Sequence, residues 1–273
     1  MKGFGLLTAL VLLTGAVKSQ ELYVFTEPAS NMPSGSVGVR LTNEGFFDKS
    51  WSSRTMPEVM IGFNKNLMAH GQAFLSDMDG KYRFEGGSLY AKYRILSVDG
   101  LKTHSRAALF GRWSRSNRPT YTEDINLEGD NSGWQGGIIF TQLLHKLALS
   151  GTLSYAKANN RQPEMTAVQA EMSTLQPDQM IGYTLSSGYL LLPFVYKDYK
   201  QPNFNLYVEL LGKTNPSNGH SYLDLAPAVQ VVLNSRTRID LGYRFEVAGG
   251  MDRRYTKNMY LARVEFNFFN VLH

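Results

Sequence analysis

The feature that most constrains this chain is an alternation of period two that recurs about a dozen times along it. In the stretch 238–247, Ile239, Leu241, Tyr243, Phe245 and Val247 fall on one face, and Asp240, Gly242, Arg244 and Glu246 on the other. The stretch 203–211 splits the same way: Phe204, Leu206, Val208 and Leu210 oppose Asn205, Tyr207 and Glu209. Near the end, Tyr260, Ala262, Val264, Phe266 and Phe268 oppose Leu261, Arg263, Glu265 and Asn267. Successive side chains of a β-strand point to opposite faces, so each stretch reads as a strand with one apolar and one polar face. The residue usage agrees, since aromatics make up 12% of the chain and suit pleated surfaces, while 25 glycines serve turns and close approaches. There is no Cys, which excludes disulfide frameworks and thiolate chemistry.

Strands of this kind build either a soluble sandwich or a membrane barrel. The sandwich buries its apolar face, whereas the barrel turns that face to lipid and keeps the polar one for its lumen. The segments match the ~9–11 tilted residues that cross a bilayer, where sandwich strands more often have about 5–6. Connections also alternate in length. They are short at 64–66, 143–146 and 234–236 and long at 46–55, 77–86, 115–132, 157–178, 212–220 and 249–258, with 192–202 as the exception. Outer-membrane barrels have this asymmetry, and an even strand number returns both termini to one side. A mean hydropathy of −0.25 is too polar for a bundle of membrane helices. The expected fold is all-β: a transmembrane antiparallel up-and-down β-barrel of about 12 strands, occupying 36–273.

Residues 1–19 read as a signal peptide. Lys2 precedes an uncharged run to Val17, and Val17 and Ser19 stand three residues and one residue before an expected cleavage at Gln20. Cleavage removes Lys2 and Lys18 and lowers the formal net charge from +5 to +3, with no dense basic block, so no nucleic-acid partner is expected. Residues 20–35 form an N-terminal segment expected in the periplasm. Its part 27–33, made a poor strand by Pro28 and Pro33, either enters the lumen as a plug or stays a tail.

The polar faces supply the candidate site. From the first half of the chain they bring Arg40, Glu58, Lys92, Arg94, Arg106 and Arg112 inward; from the second, Glu209, Asp224, Asp240, Arg244, Glu246, Arg263 and Glu265. These charges either line a polar pore that guides a solute or pair across strands and stiffen a filled barrel. The mixture of signs favours pairing.

A hydrolase needs a nucleophile beside its base, commonly His-x-Ser on one strand face. None of the five histidines has Ser two residues on; His104 and His220 are followed by Ser directly. No HExxH, Walker loop, GxGxxG or EF-hand loop is present, and no cofactor is expected. Two weaker metal signals are Met165 with Met172 on one face of a short helix, and Asp124, Glu128 and Asp130 in a polar loop. A small helix packed on the barrel rim is the stronger account of the first, and a solvated loop explains the second equally well.

The run 222–245, with a Pro-containing strand, a tight turn and the Asp240-Leu-Gly-Tyr-Arg strand, resembles the terminal strands of transporter-type outer-membrane barrels. Among these is the family associated with the meta-pathway of phenol degradation, and the resemblance implies uptake of a hydrophobic compound. The stretch 27–44 is similar to uncharacterised Gram-negative outer-membrane proteins. The aromatic last strand resembles the recognition strand of outer-membrane proteins, although four residues follow Phe269. It implies outer-membrane lipid and the barrel-assembly machinery as partners. The expected role is passive passage of a small solute through the outer membrane. The alternatives are a plugged structural or assembly-partner barrel and a lipid hydrolase.

Overall fold

The computed structural model describes residues 23–47, 51–78, 80–101, 103–118, 122–159, 177–195, 200–251, 253–254 and 257–272. The expected signal peptide, its cleavage point and the Met165/Met172 stretch lie outside them. Among the described residues there are twelve strands: β1 (Ser36–Phe47), β2 (Trp51–Gly62), β3 (Leu67–Ser76), β4 (Arg83–Asp99), β5 (Thr103–Ser116) and β6 (Gly133–Leu144) in the first half; β7 (Leu147–Ala158), β8 (Gln179–Leu192), β9 (Asn203–Thr214), β10 (Ser221–Leu233), β11 (Thr237–Gly249) and β12 (Asn258–Phe268) in the second. Each pairs antiparallel with its sequence neighbours, and β12 closes onto β1 through pairs such as Val39 with Phe266 and Leu41 with Val264. Closure leaves no strand edge with unpaired backbone, the condition for crossing lipid with strands.

Burial is inside out. Asp240 is fully buried while its neighbour Leu241 is 55% exposed, and the contrast repeats for Glu209 beside Val208. Outward positions such as Val39, Leu89, Leu153, Leu185, Ile239 and Phe266 give the outer wall its apolar surface. A soluble protein cannot leave such a band in water. The chain is a transmembrane barrel.

Local chemistry explains several details. Asn234 and Ser235 both have φ near +55°, and Arg236 N donates to Leu233 O at 3.0 Å, giving a tight three-residue connection, 234–236, between the paired Leu233 and Thr237. Pro57 and Pro227 are tolerated because the ladder skips them on one side. The β2–β3 pairing jumps from Thr55–Leu75 to Glu58–Gln72, and the β10–β11 pairing from Leu225–Phe245 to Ala228–Gly242. One expectation fails: the connection expected as a long loop at 46–55 is only 48–50. The outward polar residues there extend the ladder rather than end it. Asn43 Nδ2 donates to Thr55 Oγ1 at 3.0 Å, and Trp51 Nε1 to Tyr260 Oη at 2.8 Å.

Candidate functional site

The lumen is filled by the chain itself. Residues 23–33, set outside the barrel in the sequence reading, run inside it from the β9–β10 wall across to β2 and β3. Of the two placements open for 27–33, the lumenal one is observed. Tyr23 and Val24 pack on Leu143, Tyr207, Ala228 and Leu261; Ala29 on Ala108 and Ile139; Met32 on Met60 and Met68. The prolines deny this segment a strand ladder, so wall side chains satisfy its backbone. Glu209 Oε1 accepts from Val24 N and Phe25 N, each at 2.9 Å, and its Oε2 accepts from Thr26 Oγ1 at 2.7 Å. Ala29 N donates to Thr141 Oγ1 at 2.9 Å, Lys92 Nζ to Pro28 O at 2.6 Å, and Arg238 Nη2 to Tyr23 O at 3.1 Å.

The charged positions picked from sequence fall into two groups. Toward the short-turn end, Arg40 lies 2.8 Å from Glu265 and 3.1 Å from both Glu58 and the segment's Glu27. Glu265 continues to Arg238, Arg238 to Asp240 at 2.8 Å, and Asp240 to Arg263 at 3.6 Å. Lys92 reaches Glu27 at 3.7 Å, and Arg106 donates to Ser30 Oγ at 2.7 Å. Arg94 sits partly buried near the same end of β4. Toward the long-loop end, Asp224 meets Arg244 at 3.3 Å and Arg254 at 2.6 Å, and Glu246 meets Arg254 at 2.7 Å. Arg112 meets Glu128 at 2.5 Å.

Residues 122–132, between β5 and β6, fold inward over this upper group. Ile125 and Leu127 are buried with Ala156, Met180, Tyr222 and Met251. The loop's carboxylates meet cations from three strands: Asp124 pairs with Lys213 of β9 at 2.8 Å, Glu128 with Arg112 of β5, and Asp130 with Arg54 of β2. Burial pushes the Asp130 carboxyl up, but Arg54 and Arg118 outweigh it and hold it below the usual carboxylate range. At the rim, the hydrogen bond from His220 holds Glu123 low against some burial, with Arg253 adding to it. The acidic residues read as a possible cation-binding loop are thus engaged by the protein's own cations. No group of His, Asp or Glu is placed to hold a metal among the described residues.

Between the inner segment and this loop lies a cavity of about 240 Å³. Phe25, Thr26 and Glu27 form its floor, and Asp124 to Glu128 its roof. Its β6–β8 side is uncharged, with Ile139, Thr152, Ser154, Met180 and Thr184; Glu44, Arg54, Arg112, Lys213 and Arg244 stand elsewhere around it.

Sequence reading missed Arg54 and Lys213 because both sat in stretches taken for loops. It missed Glu27's pairing because an irregular segment has no period from which to read a face. His104 Nδ1 lies 2.7 Å from Asp99 and His220 Nδ1 2.8 Å from Glu123, and neither ring hydrogen-bonds a hydroxyl among the described residues.

Fold and site together define a membrane-spanning β-barrel with an occupied lumen and an internal chamber. No protein-family model matches the chain, and no curated protein matches it. Solved structures that resemble it include the NanC porin, at 13% identity and a TM-score of 0.48 over 84% of this chain and 98% of that one. Outer membrane phospholipase A from Escherichia coli follows at 9% identity and 0.41, over 88% and 98%. OmpT, an outer membrane protein of Vibrio cholerae, follows at 8% and 0.36, over 88% and 99%. At such identities and scores no substrate or activity passes from these proteins to this chain.

Proposed function

We propose that this chain is an outer-membrane barrel that passes a small solute passively, through a lumen closed at rest by its own residues 23–33. The observation that carries the reading is the chamber of about 240 Å³ between that segment and the loop 122–132. A barrel built only as a scaffold has no need of a space lined by both apolar and charged groups. The inner segment hydrogen-bonds to wall side chains rather than to a strand ladder, three of these bonds going to the single carboxylate of Glu209. Such contacts break and re-form without dismantling the strand ladder. The uncharged β6–β8 side suits the apolar part of a solute, in keeping with the hydrophobic-compound uptake suggested by the resemblance of 222–245.

Single-channel recording on the refolded mature chain in planar bilayers tests this, with Glu209→Ala and Arg244→Glu beside it. The wild type is expected to open rarely. Glu209→Ala, which strips three acceptor contacts from the segment, opens more often, and Arg244→Glu shifts ion selectivity toward cations. Inserted, folded protein that stays silent in all three forms would replace conduction with a plugged structural role.

A further inference from the structure

The strands present four cations to the chamber, Arg54, Arg112, Lys213 and Arg244, and one anion, Glu44. Its other carboxylates come from the loop and from the inner segment's Glu27. The wall is therefore cationic, and the loop 122–132 neutralises it. Lys213 Nζ donates to Asp124 Oδ1 at 2.8 Å and to Ile125 O at 2.7 Å, and Tyr222 Oη donates to Asp124 Oδ2 at 3.2 Å. Arg112 holds Glu128, and Arg54 holds Asp130 and the carbonyl of Glu128.

Taken with the reading that the chamber receives a solute, we infer that the chamber is a site for small organic anions, kept filled at rest by the loop's carboxylates in the anion's place. The reason is electrostatic. A neutral solute that displaced the loop would leave the buried Arg112 and the largely buried Lys213 without their carboxylate partners, and unpaired buried charge is strongly disfavoured. An anion brings its own acceptor oxygens and restores the pairing, so exchange is feasible for it alone. Guanidinium groups suit carboxylate or phosphate oxygens in particular. The non-acidic part of the ligand then lies along Ile139, Met180 and Thr184, where no charge competes with it. The mixed signs of the lumen thus arise from two sources at this level: basic strands and an acidic loop.

Titration calorimetry on the intact refolded chain in detergent tests the site with benzoate and benzyl alcohol, an anion and a neutral molecule of nearly one size. Benzoate is expected to bind and benzyl alcohol not. Glu128→Gln, at a half-exposed position, frees Arg112 and is expected to tighten benzoate roughly tenfold. The pair Asp124→Asn with Glu128→Gln tightens it further, and Arg112→Gln weakens it. Equal binding of both probes, no binding of benzoate to either loop variant, or weaker binding after loop neutralisation would overturn the inference. The readout does not depend on conduction: benzoate binding by a barrel that never conducts would defeat the passage reading and leave the anion site standing.

Discussion

At the scale of single residues, the lumen depends on groups that serve several partners at once. Arg40 balances Glu27, Glu58 and Glu265, so removing it leaves three carboxylates facing one another with fewer cations. Arg40→Met is expected to cost about 3–5 kcal/mol, the usual penalty for breaking a buried charge network from one side. A lowered urea midpoint for unfolding from lipid vesicles is the check, and an unchanged midpoint would mean that the network adds little. The pairings within the strands were legible in part. Asp240, Arg263 and Glu265 were placed on facing sides of adjacent strands by alternation alone, and Asp240 and Arg263 do meet, at 3.6 Å. Glu27 and Arg238 were not foreseen as partners. An irregular segment gives no clue to where its side chains go, and Arg238 lies at the edge of its alternating run.

At the scale of elements, turns and loops carry the testable detail. Ser235 adopts φ of +55° in the β10–β11 turn, a conformation in which glycine carries no steric cost. Ser235→Gly should stabilise the barrel by about 1 kcal/mol, and Ser235→Val should destabilise it by at least as much, both read from the same unfolding midpoint. The loop 122–132 offers a pH test. The Asp130 and Glu123 carboxyls are held below their usual range, so their contribution to the inward position is complete above the unfolded carboxylate values of about 4 and is lost as pH falls through the lower folded values. Hydrogen exchange of the amides of 122–132, corrected for intrinsic rates, should show unchanged protection between about pH 7 and pH 5 and a loss only in stronger acid. Loss already near pH 6 would mean that these two carboxylates do not hold the loop inward. The inward fold of this loop was not legible beforehand, because its polar composition reads equally well as solvated surface.

At the scale of the whole molecule, the three tryptophans mark the position of the bilayer. Trp51, Trp113 and Trp134 are outward and 62%, 55% and 49% exposed; Trp113 faces Trp134 across β5 and β6, and Trp51 opens β2 at the same long-loop end. Tyr260 and Tyr155 stand beside them, with the Tyr155 ring 5.6 Å from that of Trp134. Interfacial aromatics sit at headgroup depth. Lipids brominated near the headgroup should therefore quench tryptophan emission more than lipids brominated at the chain ends. The reverse order would displace the barrel along the membrane normal. By itself the sequence determined the strand count, the outward face of strongly alternating strands such as β9, β11 and β12, and the closing of an even-stranded barrel. Those follow from a period of two and from the length of strand needed to cross a bilayer, both local properties. Only the tertiary structure decided what fills the barrel. The placing of residues 23–33 and 122–132 depends on contacts with strands up to 215 positions away, as between Tyr23 and Arg238, and no local pattern encodes such a pairing.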